Sequence, residues 1–85
     1  MKVSVFDTYV KKPSGGMMHF DIIVPENTPV DKVFEFGKNY LEIKGVGSEA
    51  LQTQLCNFCH VEHLQEHMAE DIDKKGYYIL EMQGC

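Results

Sequence analysis

Two alternating runs, KVSVFDTYV and MMHFDIIV, flank the six residues KKPSGG, and this arrangement constrains the fold more than any other stretch. In residues 2–10, Val3, Val5, Asp7 and Tyr9 alternate with Ser4, Phe6, Thr8 and Val10. That is the period of two that sends successive side chains to opposite faces of a strand. Pro13, Ser14, Gly15 and Gly16 are turn residues, because proline pre-sets φ and glycine tolerates positive φ. The spacing predicts a β-hairpin of residues 2–10 and 17–24.

The period changes in ENTPVDKVFEFGKNYLEIKG. Thr28 stands where an N-cap is needed, Pro29 at the first helical position and Asp31 three residues after the cap. Val30, Val33, Phe34, Gly37 and Leu41 recur at helical spacing, and Gly45 is a natural stop. LQTQLCNF, residues 51–58, alternates again and predicts a third strand. HVEHLQEHMAEDIDKKG places Val61, Leu64, Met68 and Ile72 on one helical stripe, closed by Lys74, Lys75 and Gly76. YYILEMQ reads as the last strand.

The order is ββαβαβ, an α/β chain of the two-layer α+β kind. Helix-linked strands favour parallel crossovers, so the expectation is a mixed four-stranded sheet with two helices on one face. At 85 residues the chain has material for one core, burying roughly 60% of its unfolded surface, so residues 1–85 are expected to be a single compact domain.

A net charge of −5 and the lack of any arginine argue against nucleic acid, whose binding rests on clustered cations neutralising phosphates. No run approaches the roughly 18 apolar residues of a membrane span, and the first ten residues alternate instead of forming a secretory apolar block. A soluble, cytoplasmic protein without membrane association is expected. Three cysteines cannot all pair, so their sulfur reads as thiol, thiolate or metal ligand.

The chemistry-bearing word is CNFCHVEH, Cys56 to His63, with His67 following. If a helix begins at His60, then His60, His63 and His67 lie within an arc of roughly 60°. Cys56 and Cys59 are half of a tetrahedral zinc set, which His63 or His67 together with His60 or Cys85 would complete. CNFCH is also the haem-attachment sequence, with His60 as axial ligand, but haem is disfavoured where no export signal precedes it. A third reading is a redox dithiol with Cys59 activated at a helix start, although Pro13, Pro25 and Pro29 all precede the motif and none is placed as the cis-proline of such proteins. Against all three stands the plain one, in which free cysteines pack as small hydrophobes and histidines line a helix flank.

Asp7 and Asp21 fall in the middle of the paired strands, with His19 on the same face as Asp21. Strand centres disfavour aspartate, and burial demands a partner. His19 with Asp21 reads either as an acid–base pair or as a polar row on an open sheet face, and the polar row is preferred. Gly45 and Gly47 follow a helix, the wrong context for a phosphate loop, and no serine occupies a nucleophile elbow. Glu62, Glu66 and Glu70 form a solvated stripe. Enzymatic activity is not supported.

The words DTYV at 7–10, MHFD at 18–21, CNFCH at 56–60 and GYYILEMQGC at 76–85 resemble, along the whole chain, the family of small bacterial proteins called the domain of unknown function numbered twenty twenty-four. The resemblance implies a compact α/β fold and no established activity, ligand or partner. It marks Asp7, Thr8, Tyr9, His19, Asp21, Cys56, Cys59, His60, Gly84 and Cys85 as positions to watch. The functional expectation is therefore a small domain with a Cys/His metal site across Cys56–His67, zinc being the ion it suits. The alternatives are an interaction module that binds a protein partner through its open sheet face or edge, and a thiol-redox protein.

Overall fold

A computed structural model describes residues 1–85. Strands β1 (Lys2–Lys11) and β2 (Met17–Pro25) form the expected hairpin. The turn is closed by Lys12 N–H donating to Gly16 and Gly15 N–H to Lys12, with both glycines at positive φ. Helix α1 (Val30–Ile43), strand β3 (Cys56–His63), helix α2 (Glu66–Lys75) and strand β4 (Tyr78–Gln83) follow. The fold is α+β, and the element order is ββαβαβ as expected.

The sheet runs β3-β1-β2-β4 and is antiparallel throughout. The mixed sheet expected from the helical crossovers is not formed, for a topological reason. β3 does run in the direction of β2, but the chain passes over β1 and docks on its outer edge, where the hydrogen-bonded neighbour points the other way. β4 runs opposite to β3, in the direction of β1, and takes the outer edge of β2.

The two helices also lie on opposite faces, so the two-layer arrangement with both on one face is corrected. Phe6, Val10, Met18, Phe20, Ile22 and Val24 share a face with Val33, Tyr40 and Leu41 of α1. Each fully buried large side chain there contributes roughly 1.5–3 kcal/mol. Gly37 lets α1 approach closely, since a Cβ would meet Ile22 Cδ1 at 3.0 Å and Leu51 Cδ2 at 3.4 Å. On the other face Val3, Val5 and Ile23 pack against Met68 and Ile72 of α2. That ten-residue helix covers only half of the face.

α1 ends as its sequence predicts. Val46 N–H donates to Leu41 and Gly45 N–H to Glu42, with Gly45 at φ 74°, a Schellman closure in which glycine takes the left-handed position. Its start differs from expectation. Thr28 Oγ1 donates to the Pro25 carbonyl at 2.6 Å, closing a turn, and no side chain caps the helix.

The third strand and second helix are shifted relative to their sequence patterns. Residues 48–50 and 53–55 form single 3₁₀ turns, β3 begins at Cys56, and α2 begins at Glu66 instead of His60. CNFCHVEH alternates as well as it spirals, and the unpaired edge of β1 decides, because a strand there satisfies the backbone of both. No helix is long and apolar enough to cross a membrane.

Candidate functional site

The uncovered half of the α2 face carries the polar residues of the hairpin. Strand parity puts Asp7 and Tyr9 there from β1, and His19 and Asp21 from β2. The register sets Asp7 opposite Asp21 and Tyr9 opposite His19. Alternation therefore builds the trio directly, with Val5 and Ile23 forming its dry border under α2.

His19 Nε2 lies 2.5 Å from Asp7 Oδ1. A carboxylate can only accept, so the imidazole N–H donates. Tyr9 stacks flat on the His19 ring, 4.2 Å between centroids and 8° between planes, and holds it in position. Asp21 is 7% exposed. Burial, followed by the charge of Asp7, pushes its carboxyl up to about 6, while the fields of His19 and His60 pull the other way. One ligand atom from each of Asp7, His19 and Asp21 falls within 4.8 Å of the other two. A metal ion or a proton is the species that such a trio accommodates.

The Cys/His word is dispersed by the same strand geometry. Cys56 is buried against the α1 face, where Thr8 Oγ1 donates to its Sγ at 3.3 Å. Burial is the main cause that pushes its thiol above the usual range. Cys59 is exposed. Three residues of strand separate the two Cα atoms by roughly 10 Å, beyond the roughly 7 Å limit of a disulfide.

His60 sits beside Val5, His63 sits at the far end of β3 opposite Lys2, and the His67 ring rests edge-on against Tyr78 from α2. The shared histidine flank expected from a helix at 60–76 is not present, since residues 60–63 are strand. Cys85 Sγ reaches the His19 carbonyl at 3.6 Å, but Cys56 lies across the sheet on β3, three strand spacings or roughly 14 Å from β4.

Of the sequence candidates, the structure thus brings together Asp7, His19 and Asp21, and leaves Cys56, Cys59, His63, His67 and Cys85 apart. Tyr9 was not among the candidate ligands, although it stands two residues from Asp7 on the same strand face, a signal that the period of two contains. A second polar pairing lies on the α1 side. Tyr40 O–H donates to Glu81, and Lys44 Nζ lies 3.2 Å from the same carboxylate. These two bonds hold Glu81 below the usual carboxylate range, while burial, with the Glu81 contact, holds the Tyr40 phenol above its own.

No curated protein matches the chain. An NMR structure of protein NE1680 from Nitrosomonas europaea is similar over 100% of this chain and 99% of that one, with 36% sequence identity and a TM-score of 0.85. The family model described as a domain of unknown function, DUF2024, matches residues 1–82. That match covers Asp7, His19 and Asp21, and the chain belongs to that family.

Proposed function

We propose that this chain acts as one cytoplasmic domain that binds a divalent transition-metal ion through Asp7, His19 and Asp21. The observation that carries the reading is the convergence of two carboxyl groups and one imidazole, from facing positions of two paired strands, to within 4.8 Å. Zinc bonds of about 2.0–2.2 Å to such donors put ligand atoms roughly 3.4 Å apart on a tetrahedron, a separation that small side-chain rotations reach. Oxygen donors with an imidazole suit zinc, manganese, iron or nickel better than soft copper(I).

Two features support it further. Asp21 is buried, and its burial and the charge of Asp7 both work against its ionised form, so a cation improves its surroundings. The β1–β3 and β2–β4 ladders each shift register beside the trio, between Val5 and Phe6 and between His19 and Phe20, and bulges concentrate next to functional sites.

Elemental analysis of protein purified without chelator, followed by zinc titration against a chromophoric competitor, tests the reading. About one equivalent per chain, lost in His19→Ala and Asp21→Asn, is expected. Less than a tenth of an equivalent with no affinity on titration sinks it.

A second reading rests on a different observation. β3 and β4 are both outer strands, and Phe58 and Val61 on one and Leu80 and Met82 on the other are exposed. An unpaired edge with apolar side chains is the surface to which a partner protein adds a strand. Chemical-shift changes confined to one edge on addition of a partner would support it, and changes centred on Asp7 and His19 would not.

A further inference from the structure

The β3 bulge decides which face of the sheet His60 occupies. Phe58 is paired with Phe6, and its ring meets the Phe6 ring edge-on, 5.8 Å between centroids, on the α1 face. Regular pairing from there would place Cys59 opposite Val5 and His60 opposite Ser4, on the α1 face again, because strand faces alternate strictly. Instead His60 is opposite Val5 and Cys59 has no partner. One extra residue therefore turns His60 onto the face that holds Asp7, His19 and Asp21.

The opposite rim is built in the same way. Glu81 pairs with Phe20, and Gln83, not Met82, pairs with His19. Both outer strands carry one unpaired residue at the level of the trio, and each places a polar side chain where regular pairing would place Cys59 or Met82. Re-aiming a side chain is what a bulge does at the cost of a ladder position.

His60 is near enough to serve. It stands beside Val5, two residues from Asp7 on the same face, and such diagonal neighbours are about 7–8 Å apart at Cα. Its side chain is half exposed, and its contact is Glu62 Oε2 at 3.2 Å, a partner two residues along its own strand. Exposed pairs of this kind hold a side chain only weakly, so the ring is free to turn towards Asp7. The other histidines are not candidates: His63 lies at the strand end by Lys2, and His67 lies against Tyr78 on α2.

We infer that His60, turned by the Cys59 bulge onto the Asp7–His19–Asp21 face, is the fourth protein ligand of a divalent metal ion held there. The set is then two carboxylates and two imidazoles from three adjacent strands, and CNFCH contributes its histidine instead of its thiols. The inference rests on the cation reading of the trio and assigns the ligand that would close it.

Zinc competition titrations on the wild type and on His60→Gln, His63→Gln, Cys59→Ala and His19→Gln test it. Circular dichroism and an amide NMR spectrum of each variant confirm the fold, which the exposed positions 59, 60 and 63 tolerate. The expected result is a loss of at least tenfold in affinity for His60→Gln, since even groups outside the ligand shell are worth about 10–100-fold, with His63→Gln and Cys59→Ala like the wild type. In the wild type, the His60 ring nitrogens should shift on zinc addition.

Wild-type affinity in His60→Gln together with lost affinity in His19→Gln overturns the His60 assignment and leaves the trio as the site. A weakened Cys59→Ala overturns it in favour of the thiols. A wild-type protein that takes up no zinc overturns both the assignment and the reading beneath it.

Discussion

Asp7 and Asp21 stand directly opposite each other across the β1–β2 pair, at a cross-strand position where like charges repel. His19 binds Asp7, and Asp21 is buried beside that pair. A strand centre filled in this way costs stability.

The Asp21 carboxyl is raised from 3.8 to about 6, so between those values the folded state holds more protons than the unfolded chain. Stability then falls as pH rises through that window and stays reduced above it. At about 1.4 kcal/mol per unit the contribution is on the order of 2–3 kcal/mol. With chelator present, Asp21→Asn is expected to be about 1–2 kcal/mol more stable than wild type at pH 7.5, with the gap narrowing by pH 4.5. Urea denaturation at both pH values measures it, and an Asn variant less stable at pH 7.5 would contradict the argument.

Thiol reactivity separates the three cysteines. Cys59 and Cys85 are exposed, while Cys56 is buried with its thiol pushed up. Thiolate is the reacting species, so a colorimetric thiol reagent should modify two groups fast and the third only on unfolding. Mild oxidation should give no Cys56–Cys59 disulfide, as mass spectrometry of peptides would show. Equal rates at all three sites would be inconsistent with this structure.

Two glycines should respond differently to substitution. At Gly37 the obstacle is space, with Ile22 Cδ1 3.0 Å from an added Cβ, and Gly37→Val should lose about 2 kcal/mol or more through overpacking and helix stiffness. At Gly45 nothing lies within 4 Å, but φ is 74°, so Gly45→Ala should lose about 1–2 kcal/mol through backbone strain alone. Thermal unfolding measures both losses, and methyl NMR of the folded proteins distinguishes them, because only the valine variant should perturb the side-chain signals of Ile22 and Leu51.

Removing the Tyr40 hydroxyl tests the pairing on the α1 side. Tyr40→Phe should cost about 1 kcal/mol, as for one hydrogen bond. Glu81 is held below its usual range by Tyr40 and Lys44, so its contribution is present above that range and lost as pH falls through it. The Phe variant should therefore lose less stability than wild type on acidification from pH 6 to pH 3, measured by denaturant midpoints. An identical acid limb in both would remove Tyr40 as the cause.

What the sequence determined by itself was local. Period two and the KKPSGG turn specify the hairpin, and with it the register that sets Asp7 against Asp21 and Tyr9 against His19. Helical spacing with a glycine stop specifies α1 and its closure at Gly45. These follow from alternation and φ preferences, which act within a few residues. CNFCHVEH was ambiguous because its few apolar residues satisfy either period. The open edge of β1, more than 40 residues away in the chain, chose strand over helix by offering its unpaired backbone groups. The same tertiary pairing separated Cys56 from Cys59, sent the helices to opposite faces, and inserted the bulge that turns His60 toward the aspartates. Packing of α2 over Val3, Val5 and Ile23 left Tyr9 exposed beyond it, so contacts between distant elements decided the surroundings of the polar row.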